Sequence, residues 1–235
     1  MSPTELWLPV GAAAFYLYDS CILLWHNELV FLRGRDWQVS GGSELRLAGR
    51  RIFMPNPLLP ARPQFVVRWS VADKRAAGQA DDPALLPALR APGVIVQLQL
   101  VLLLALPIVS WTLGAGIVML GLFALFYLLT LLALALLWPR RARCGLQPRA
   151  FWMLALDALA CAPFAVNLVR KVAMRHGLAG DPLRFAACAM DARTRDAIAL
   201  IIAARLQQQQ AEATTPRGDE LGVLMSRLEP GRCDS

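Results

Sequence analysis

The 45 residues of Val94–Trp138 contain no Asp, Glu, Lys or Arg, and almost all of them are apolar. A helix needs about 20 apolar residues to cross a bilayer, so this stretch is about twice the length of one span. Weak helix formers at Ser110, Gly114 and Gly116 predict a turn near its middle. We therefore expect two spans, at about 94–111 and 116–138, that form a transmembrane hairpin within residues 93–139.

The distribution of charge predicts an orientation in the membrane. Ten of the 24 Lys and Arg residues lie between Arg33 and Arg90, and the other fourteen lie between Arg140 and Arg232. Cytoplasmic loops retain basic residues, so both regions are expected to face the cytoplasm and the hairpin turn to face outward. The net charge of +7 is then explained by topology, and no nucleic-acid partner is expected.

A further apolar run near the start predicts a first span, from about Leu6 to Trp25 within residues 1–32, with the N-terminus outside. Asp19 lies inside this run, where a carboxylate is costly and usually faces protein, water or a partner charge. His26 and Glu28 follow at the expected cytoplasmic interface. Asp19, His26 and Glu28 could form a proton-handling or substrate-binding group, or they could be a paired carboxylate and two hydrated interfacial residues.

Residues 33–92 change from a helical to an extended pattern and predict a small cytoplasmic antiparallel meander of three or four strands. The expected strands lie near Trp37–Val39, Glu44–Leu47, Arg51–Met54 and Gln64–Trp69. A short helix is expected from about Asp81 to Arg90, with an Asp cap and a Pro in the first turn. Arg46, Arg50 and Arg51 are candidates for contact with lipid headgroups or an acidic partner.

Residues 140–210 predict cytoplasmic or interfacial helices. Arg140, Arg141 and Arg143 close the hairpin and are further candidates for contact with headgroups or an acidic partner. The segment 150–169 could span, but its polar residues share one arc, which favours a helix in the interface that Pro163 kinks. Asp157 could meet Asp19 as a catalytic carboxylate pair, or could pair with Arg149 or Arg170.

The C-terminal region predicts one helix, from Asp191 to about Gln210, with an apolar stripe formed by Ile198, Ile201, Ile202 and Leu206. Residues 211–235 have the composition of a disordered tail. The five cysteines lack metal-ligand spacing and the chain has two histidines, so no metal site and no cofactor is expected. Most cysteines are expected to be reduced on the cytoplasmic side.

Together these patterns predict an α-helical integral membrane protein with three transmembrane helices, a small cytoplasmic β meander and a C-terminal cytoplasmic helical region. The Arg-rich, Lys-poor composition suggests a bacterial inner membrane. Partners would be the lipid bilayer and another membrane or cytoplasmic protein, and the chain could form oligomers.

The absence of catalytic motifs favours a non-enzymatic scaffold, adaptor or assembly subunit at the cytoplasmic face. One alternative is a membrane-embedded enzyme that acts on a lipid-linked or phosphate-bearing substrate through Asp19, His26 and Glu28. Another is a subunit of an oligomeric transporter, in which Asp19, Gln97 and Gln99 would line a polar path.

Overall fold

The computed structural model describes residues 3–34, 36–69, 85–113, 116–176 and 182–212. Within these ranges the chain is mostly helical and contains a small amount of antiparallel sheet. The helices are α1 Pro3–Ser20, α2 Leu85–Leu113, α3 Ile117–Leu137, α4 Pro148–Ala160, α5 Ala162–Val166, α6 Leu168–His176, α7 Pro182–Ala189 and α8 Ala192–Glu212. The strands are β1 Ile22–Leu24, β2 Glu28–Arg33, β3 Trp37–Ser40, β4 Arg46–Leu47, β5 Arg50–Phe53 and β6 Gln64–Arg68.

The chain divides into two compact units. The first, which we call the helical unit, comprises Met1–Ile22, Met54–Pro63 and Pro83–His176. The second, the sheet unit, comprises Leu23–Phe53, Gln64–Asp82 and Gly177–Ser235. Each unit is therefore built from segments that are far apart in the sequence.

Two helices of the helical unit, α2 and α3, are long and apolar enough to cross a membrane. The qualifying stretches are Leu85–Thr112, of 28 residues, and Ile117–Arg140, of 24 residues. The predicted hairpin helices are thus present. A single 3₁₀ turn, Trp138–Arg140, follows α3.

The first hairpin helix starts earlier than the sequence predicts. A separate short helix ending near Arg90 is not formed, because α2 runs without interruption from Leu85 to Leu113 and includes Pro92 and Pro107; the predicted cap around Asp81 lies outside the described residues. Leu85 and Leu89 are each 3% exposed. Burying two such side chains contributes about 3–6 kcal/mol, which outweighs the roughly 3 kcal/mol cost of an internal proline.

The N-terminal helix is shorter than expected. α1 ends at Ser20, and Ile22–Leu24 is a strand, so the predicted helical continuation to Trp25 is wrong. The 18 residues of α1 span about 27 Å at 1.5 Å per residue.

The segment predicted as one interfacial helix at 150–169 is divided into three helices. α4 ends where Cys161 adopts an extended conformation, with φ −142° and ψ 112°, and α5 then starts with Pro163 in its first turn. The expected kink at Pro163 is therefore a complete break. Pro163 has no N–H to donate to the carbonyl four residues earlier, and its ring clashes with that carbonyl, so α4 cannot continue through this position.

The sheet unit contains a sheet of order β3-β2-β6, in which the central strand β2 pairs antiparallel with both neighbours. A second sheet has the order β1-β5-β4. The sequence predicted strands at four of these places, but it missed β1 and the central strand β2. A simple meander is therefore replaced by a sheet whose middle strand comes first in the chain.

The core of the sheet unit is aromatic. The Trp37 ring lies 5.9 Å from that of Phe65 and 5.1 Å from that of Phe185, measured between ring centres. α8 packs on this sheet unit through the predicted stripe, of which Ile198 is 0% and Ile202 1% exposed. α8 contacts β3, so the stripe is covered within the same chain.

Candidate functional site

The C-terminal end of α1 holds a polar group of side chains, which we call the Asp19 cluster: Asp19, Ser20, Asn167, Arg170 and Lys171. Asp19 Oδ2 lies 3.0 Å from Lys171 Nζ and accepts a 2.9 Å hydrogen bond from Asn167 Nδ2. The Asp19 and Lys171 side chains are 14% and 19% exposed, so the ion pair is largely buried. The Lys171 ammonium thus lies near the C-terminus of α1, where a cation interacts favourably with the helix dipole and stabilises the helix end.

Arg170 connects the Asp19 cluster to the Asn56–Leu59 loop. It is 1% exposed, and its Nη1 donates to Ser20 Oγ at 3.1 Å and to Asn167 Oδ1 at 3.0 Å. Its Nη2 donates to the carbonyl oxygens of Asn56 at 2.7 Å and Leu59 at 3.1 Å. Burial lowers the pKa of Arg170 from its ordinary value, and the nearby Asp19 carboxylate opposes part of that shift.

Three predicted features of this region are changed by the structure. Asn167 and Arg170, which the sequence placed on a hydrated helix face, are both 1% exposed. The partner of Asp157 is Arg175, at 3.9 Å, and not the predicted Arg149 or Arg170. Asp19 is paired with Lys171, so each carboxylate has its own cation. The Asp19–Lys171 ion pair therefore links the end of α1 to α6.

His26 and Glu28, the other members of the predicted catalytic group, belong to the sheet unit, whereas Asp19 belongs to the helical unit. Glu28 Oε1 accepts a 2.9 Å hydrogen bond from Arg68 Nη2. Its Oε2 accepts from the Trp25 backbone N–H, also at 2.9 Å. The Glu28 carboxylate therefore orders the turn that leads into β2.

A second buried cation organises that turn, and we call it with its acceptors the Arg205 cluster. Arg205, on α8, is 3% exposed and its guanidinium donates to the backbone carbonyls of Trp25, His26, Glu28 and Gly41. The pKa of Arg205 is lowered to about 10, mainly by burial and in smaller part by the neighbouring Arg51, against an opposing effect of Glu28. The group stays charged at neutral pH.

Sequence reasoning missed both buried arginines. Arg205 directly precedes Leu206 of the apolar stripe and lies four residues after Ile201. Its position beside an otherwise apolar helix face could have predicted that the side chain is buried. Arg170 had no comparable signal, since its acceptors lie more than 100 residues away in the Asn56–Leu59 loop.

The arginines predicted to contact headgroups or an acidic partner have different surroundings. Arg46 and Arg51 are opposite each other in the β4-β5 pair. Arg51 Nη2 donates to Gln208 Oε1 at 2.8 Å, and the Arg50 guanidinium lies 3.9 Å from the centre of the Trp25 ring. Arg140 Nη1 donates to the Leu136 carbonyl at 2.7 Å. Arg141 lies over Trp138, and Arg143 is exposed.

The two glutamines of the transporter hypothesis are engaged within the helical unit. Gln99, which is 0% exposed, donates to Thr130 Oγ1 at 2.7 Å and so links α2 to α3. Gln97 donates to the Leu58 carbonyl at 3.1 Å. Both side-chain amides hold neighbouring segments together.

The sheet unit also contains an open groove of about 810 Å³ between β3 and the start of α8. Its charged lining residues are Arg33, Asp36, Asp191 and Arg193. The Arg33 guanidinium lies 4.8 Å from the centre of the Trp37 ring at the base of the groove. With two cations and two anions, the groove favours a polar ligand or peptide of mixed charge over a simple anion.

Among the described residues, no group of three or more His, Cys, Asp and Glu side chains comes together as a metal site would require. Cys21, Cys144 and Cys161 are free thiols, whereas Cys188 is disulfide-bonded. A disulfide is typical of an oxidising compartment, so Cys188 is the exception among the described cysteines to the expectation that most of them are reduced.

No protein-family model matches this chain, and neither the curated proteins nor the solved structures contain a significant match to it.

Proposed function

We propose that this chain is a non-enzymatic scaffold, adaptor or assembly subunit of a bacterial inner membrane. In this proposal α1, α2 and α3 are membrane spans, the N-terminus lies outside and the sheet unit holds a protein partner at the cytoplasmic face. The observation that carries the proposal is the apolar surface of the α2-α3 hairpin.

That surface is large and follows both helices. Its most exposed apolar side chains include Val94, Val101, Ile108, Trp111, Ile117, Leu120 and Leu128, which are 58–86% exposed. In the most apolar stretch of α3, only 28% of the residues are buried by the rest of the protein. Soluble monomers rarely expose contiguous apolar patches above about 600 Å², so lipid is the environment that suits these helices.

The hydrogen bonds and ion pairs made by the buried charged groups support a scaffold over an enzyme. Arg170 and Arg205 are bonded to backbone carbonyls, and Asp19 is paired with Lys171. These interactions rigidify the two units. The groove along β3, by contrast, presents accessible charges of both signs, as the rim of a protein interface does.

Membrane insertion is tested by alkaline carbonate extraction and by reporter fusions. We expect the full chain to remain in the membrane pellet, with an alkaline phosphatase fusion at Gly114 active and a fusion after Arg141 inactive. Recovery of the chain in the carbonate supernatant would contradict membrane integration, and the reverse reporter pattern would contradict the topology.

Partner binding is tested by placing a photo-crosslinking amino acid at Gln38, which lines the groove, in otherwise native membranes. We expect one discrete crosslinked protein, whose yield falls when Arg193→Glu reverses a charge of the groove. The matched control places the same amino acid at the exposed Leu200 of α8. Equal crosslinking at both positions, or no crosslink at Gln38, would contradict a specific partner in the groove.

The enzyme alternative has one supporting observation, which is that the Asp19–Lys171 pair retains some exposure near the end of an apolar helix. Its test is the variant Asp19→Asn combined with Asp157→Asn. Normal growth and normal complex assembly in that variant would exclude a catalytic role for these carboxylates.

A further inference from the structure

The hairpin ends in an aromatic group, which we call the Trp138 cluster: Trp138, Phe151 and Trp152. The centre of the Trp138 ring lies 5.0 Å from that of Phe151 and 5.5 Å from that of Trp152. The Arg141 guanidinium lies 4.0 Å from the centre of the Trp138 ring. Tryptophan with a neighbouring cation is typical of the level of lipid headgroups in a membrane protein.

The exposed face of α4 next to this cluster is apolar, with a cation at its start. Trp152, Met153 and Leu156 are 58%, 55% and 62% exposed, and with Arg149 they follow the i, i+3, i+4, i+7 spacing of one helix face. The sequence predicted an interfacial helix over 150–169 with its polar residues on one arc. The structure instead buries Phe151 and Leu154, which leaves this second apolar face uncovered within the described residues.

The charge around this face is mainly positive. The residues from Trp138 to Leu156 include Arg140, Arg141, Arg143 and Arg149 and contain no Asp or Glu. The next residue, Asp157, is paired with Arg175 at 3.9 Å. Arg143 and Arg149 are both exposed. An occupant of the surface must therefore combine an apolar part for the α4 face with an anionic part for the arginines.

We infer that this surface binds an anionic phospholipid, with the headgroup phosphate at Arg141, Arg143 and Arg149 and an acyl chain along Trp152, Met153 and Leu156. The inference rests on the proposed membrane location, because the α4 face continues directly from the end of the hairpin helix α3 through Trp138. A soluble acidic peptide would satisfy the arginines but would not extend the apolar surface of the hairpin. The site gives α4 a defined place in the interface and fixes the rotation of α3.

The binding is tested on the purified full chain in a mild nonionic detergent. Phosphatidylglycerol with brominated acyl chains quenches tryptophan fluorescence when it lies against the rings, and brominated phosphatidylcholine is the zwitterionic comparison. We expect half-maximal quenching at a phosphatidylglycerol concentration at least tenfold lower than that of phosphatidylcholine. Replacing Trp152 by Phe should reduce the quenchable fraction of the signal.

The decisive variant is Arg143→Gln with Arg149→Gln. One guanidinium near an anionic lipid surface changes the binding constant about fivefold, so we expect the double variant to need about 30-fold more phosphatidylglycerol. The matched control, Arg68→Gln with Arg90→Gln, removes the same charge from exposed positions outside α4 and should shift the midpoint less than about threefold.

Three results would overturn the lipid site: equal quenching by the two lipids, equal shifts in the two double variants, or displacement of the brominated lipid by millimolar inorganic phosphate, which would indicate a site for a free anion. Failure of the proposed function is distinguished by carbonate extraction of the wild-type chain. A chain that stays in the membrane pellet but shows no lipid preference refutes only the inference about α4.

Discussion

Arg205 allows the most direct test of the fold of the sheet unit. Its guanidinium donates to four backbone carbonyls, three of them in the turn Trp25–Glu28 and one at Gly41. Loss of a hydrogen bond from a charged donor costs about 1.5–3 kcal/mol, so four bonds set an upper limit of about 6–12 kcal/mol. Part of this is regained, because the variant no longer pays the desolvation of a buried cation and because water can reach some of the carbonyls. We therefore expect Arg205→Ala to destabilise the sheet unit by about 3–5 kcal/mol, the range for breaking a buried charged interaction.

Hydrogen exchange of the full chain, followed by mass spectrometry, measures this effect locally. Peptides covering β2 and β3 should lose protection equivalent to about 3–5 kcal/mol, while peptides from α2 and α3 should keep theirs. Arg205→Lys should cause a smaller loss, since an ammonium group keeps the charge but has no planar fork of donors. The control is Arg193→Ala, an exposed arginine of the same helix, which should change protection by less than about 0.5 kcal/mol. An effect of Arg205→Ala no larger than that of Arg193→Ala would refute the structural role of the cluster.

Three further predictions concern other parts of the chain. Lys171→Met should lower the free energy of unfolding of the helical unit by about 1–3 kcal/mol, because it leaves the largely buried Asp19 carboxylate without its cation. Adding Asp19→Asn should restore most of this loss. Additive effects of the two substitutions in a double-mutant cycle would contradict the ion pair. Hydrogen bonds from Thr194 lower the pKa of Asp191 below its ordinary value of 3.8. The ionised carboxylate therefore stabilises the first turn of α8 above pH 3.8, and this stabilisation is lost as the pH falls through the lowered pKa. Exchange of the first α8 amides should accelerate over that acid range in the wild type but show no such step in Asp191→Ala. Finally, Cys188 should resist alkylation in the denatured chain purified without reductant and react after reduction; full labelling without reductant would contradict the disulfide.

The elements with strong local signals were predictable from the sequence. The hairpin helices were identified because no charge interrupts Val94–Trp138, and α8 was identified because its apolar residues repeat with the helical period and dock as a stripe. The positions of β3 and β6 followed from short apolar runs between turn residues. In each case the residues that determine the element lie within it.

The elements that were mispredicted depend on distant residues. Glu28–Arg33 looks like the hydrated end of a membrane span, and it becomes the central strand because β3 and β6 pair with it on both sides. α1 stops at Ser20 because its last polar side chains bond to Asn167 and Lys171, almost 150 residues later. Local propensity contains no information about such partners, so the composition of the Asp19 cluster could not be derived.

The interrupted order of the sheet unit has a consequence for synthesis. Trp69 emerges from the ribosome 136 residues before Arg205, and the longest segment of the helical unit, Pro83–His176, is translated between them. At about 5–20 residues per second, the strands wait about 7–27 s for the arginine that completes the turn at Trp25–Glu28. During that interval β3 lacks its α8 cover, and the exposed apolar surface is a feature that chaperones recognise and that promotes aggregation. In the proposed membrane location, α2 and α3 would be inserted before the sheet unit can close, and truncation before residue 205 would leave the sheet unit incomplete.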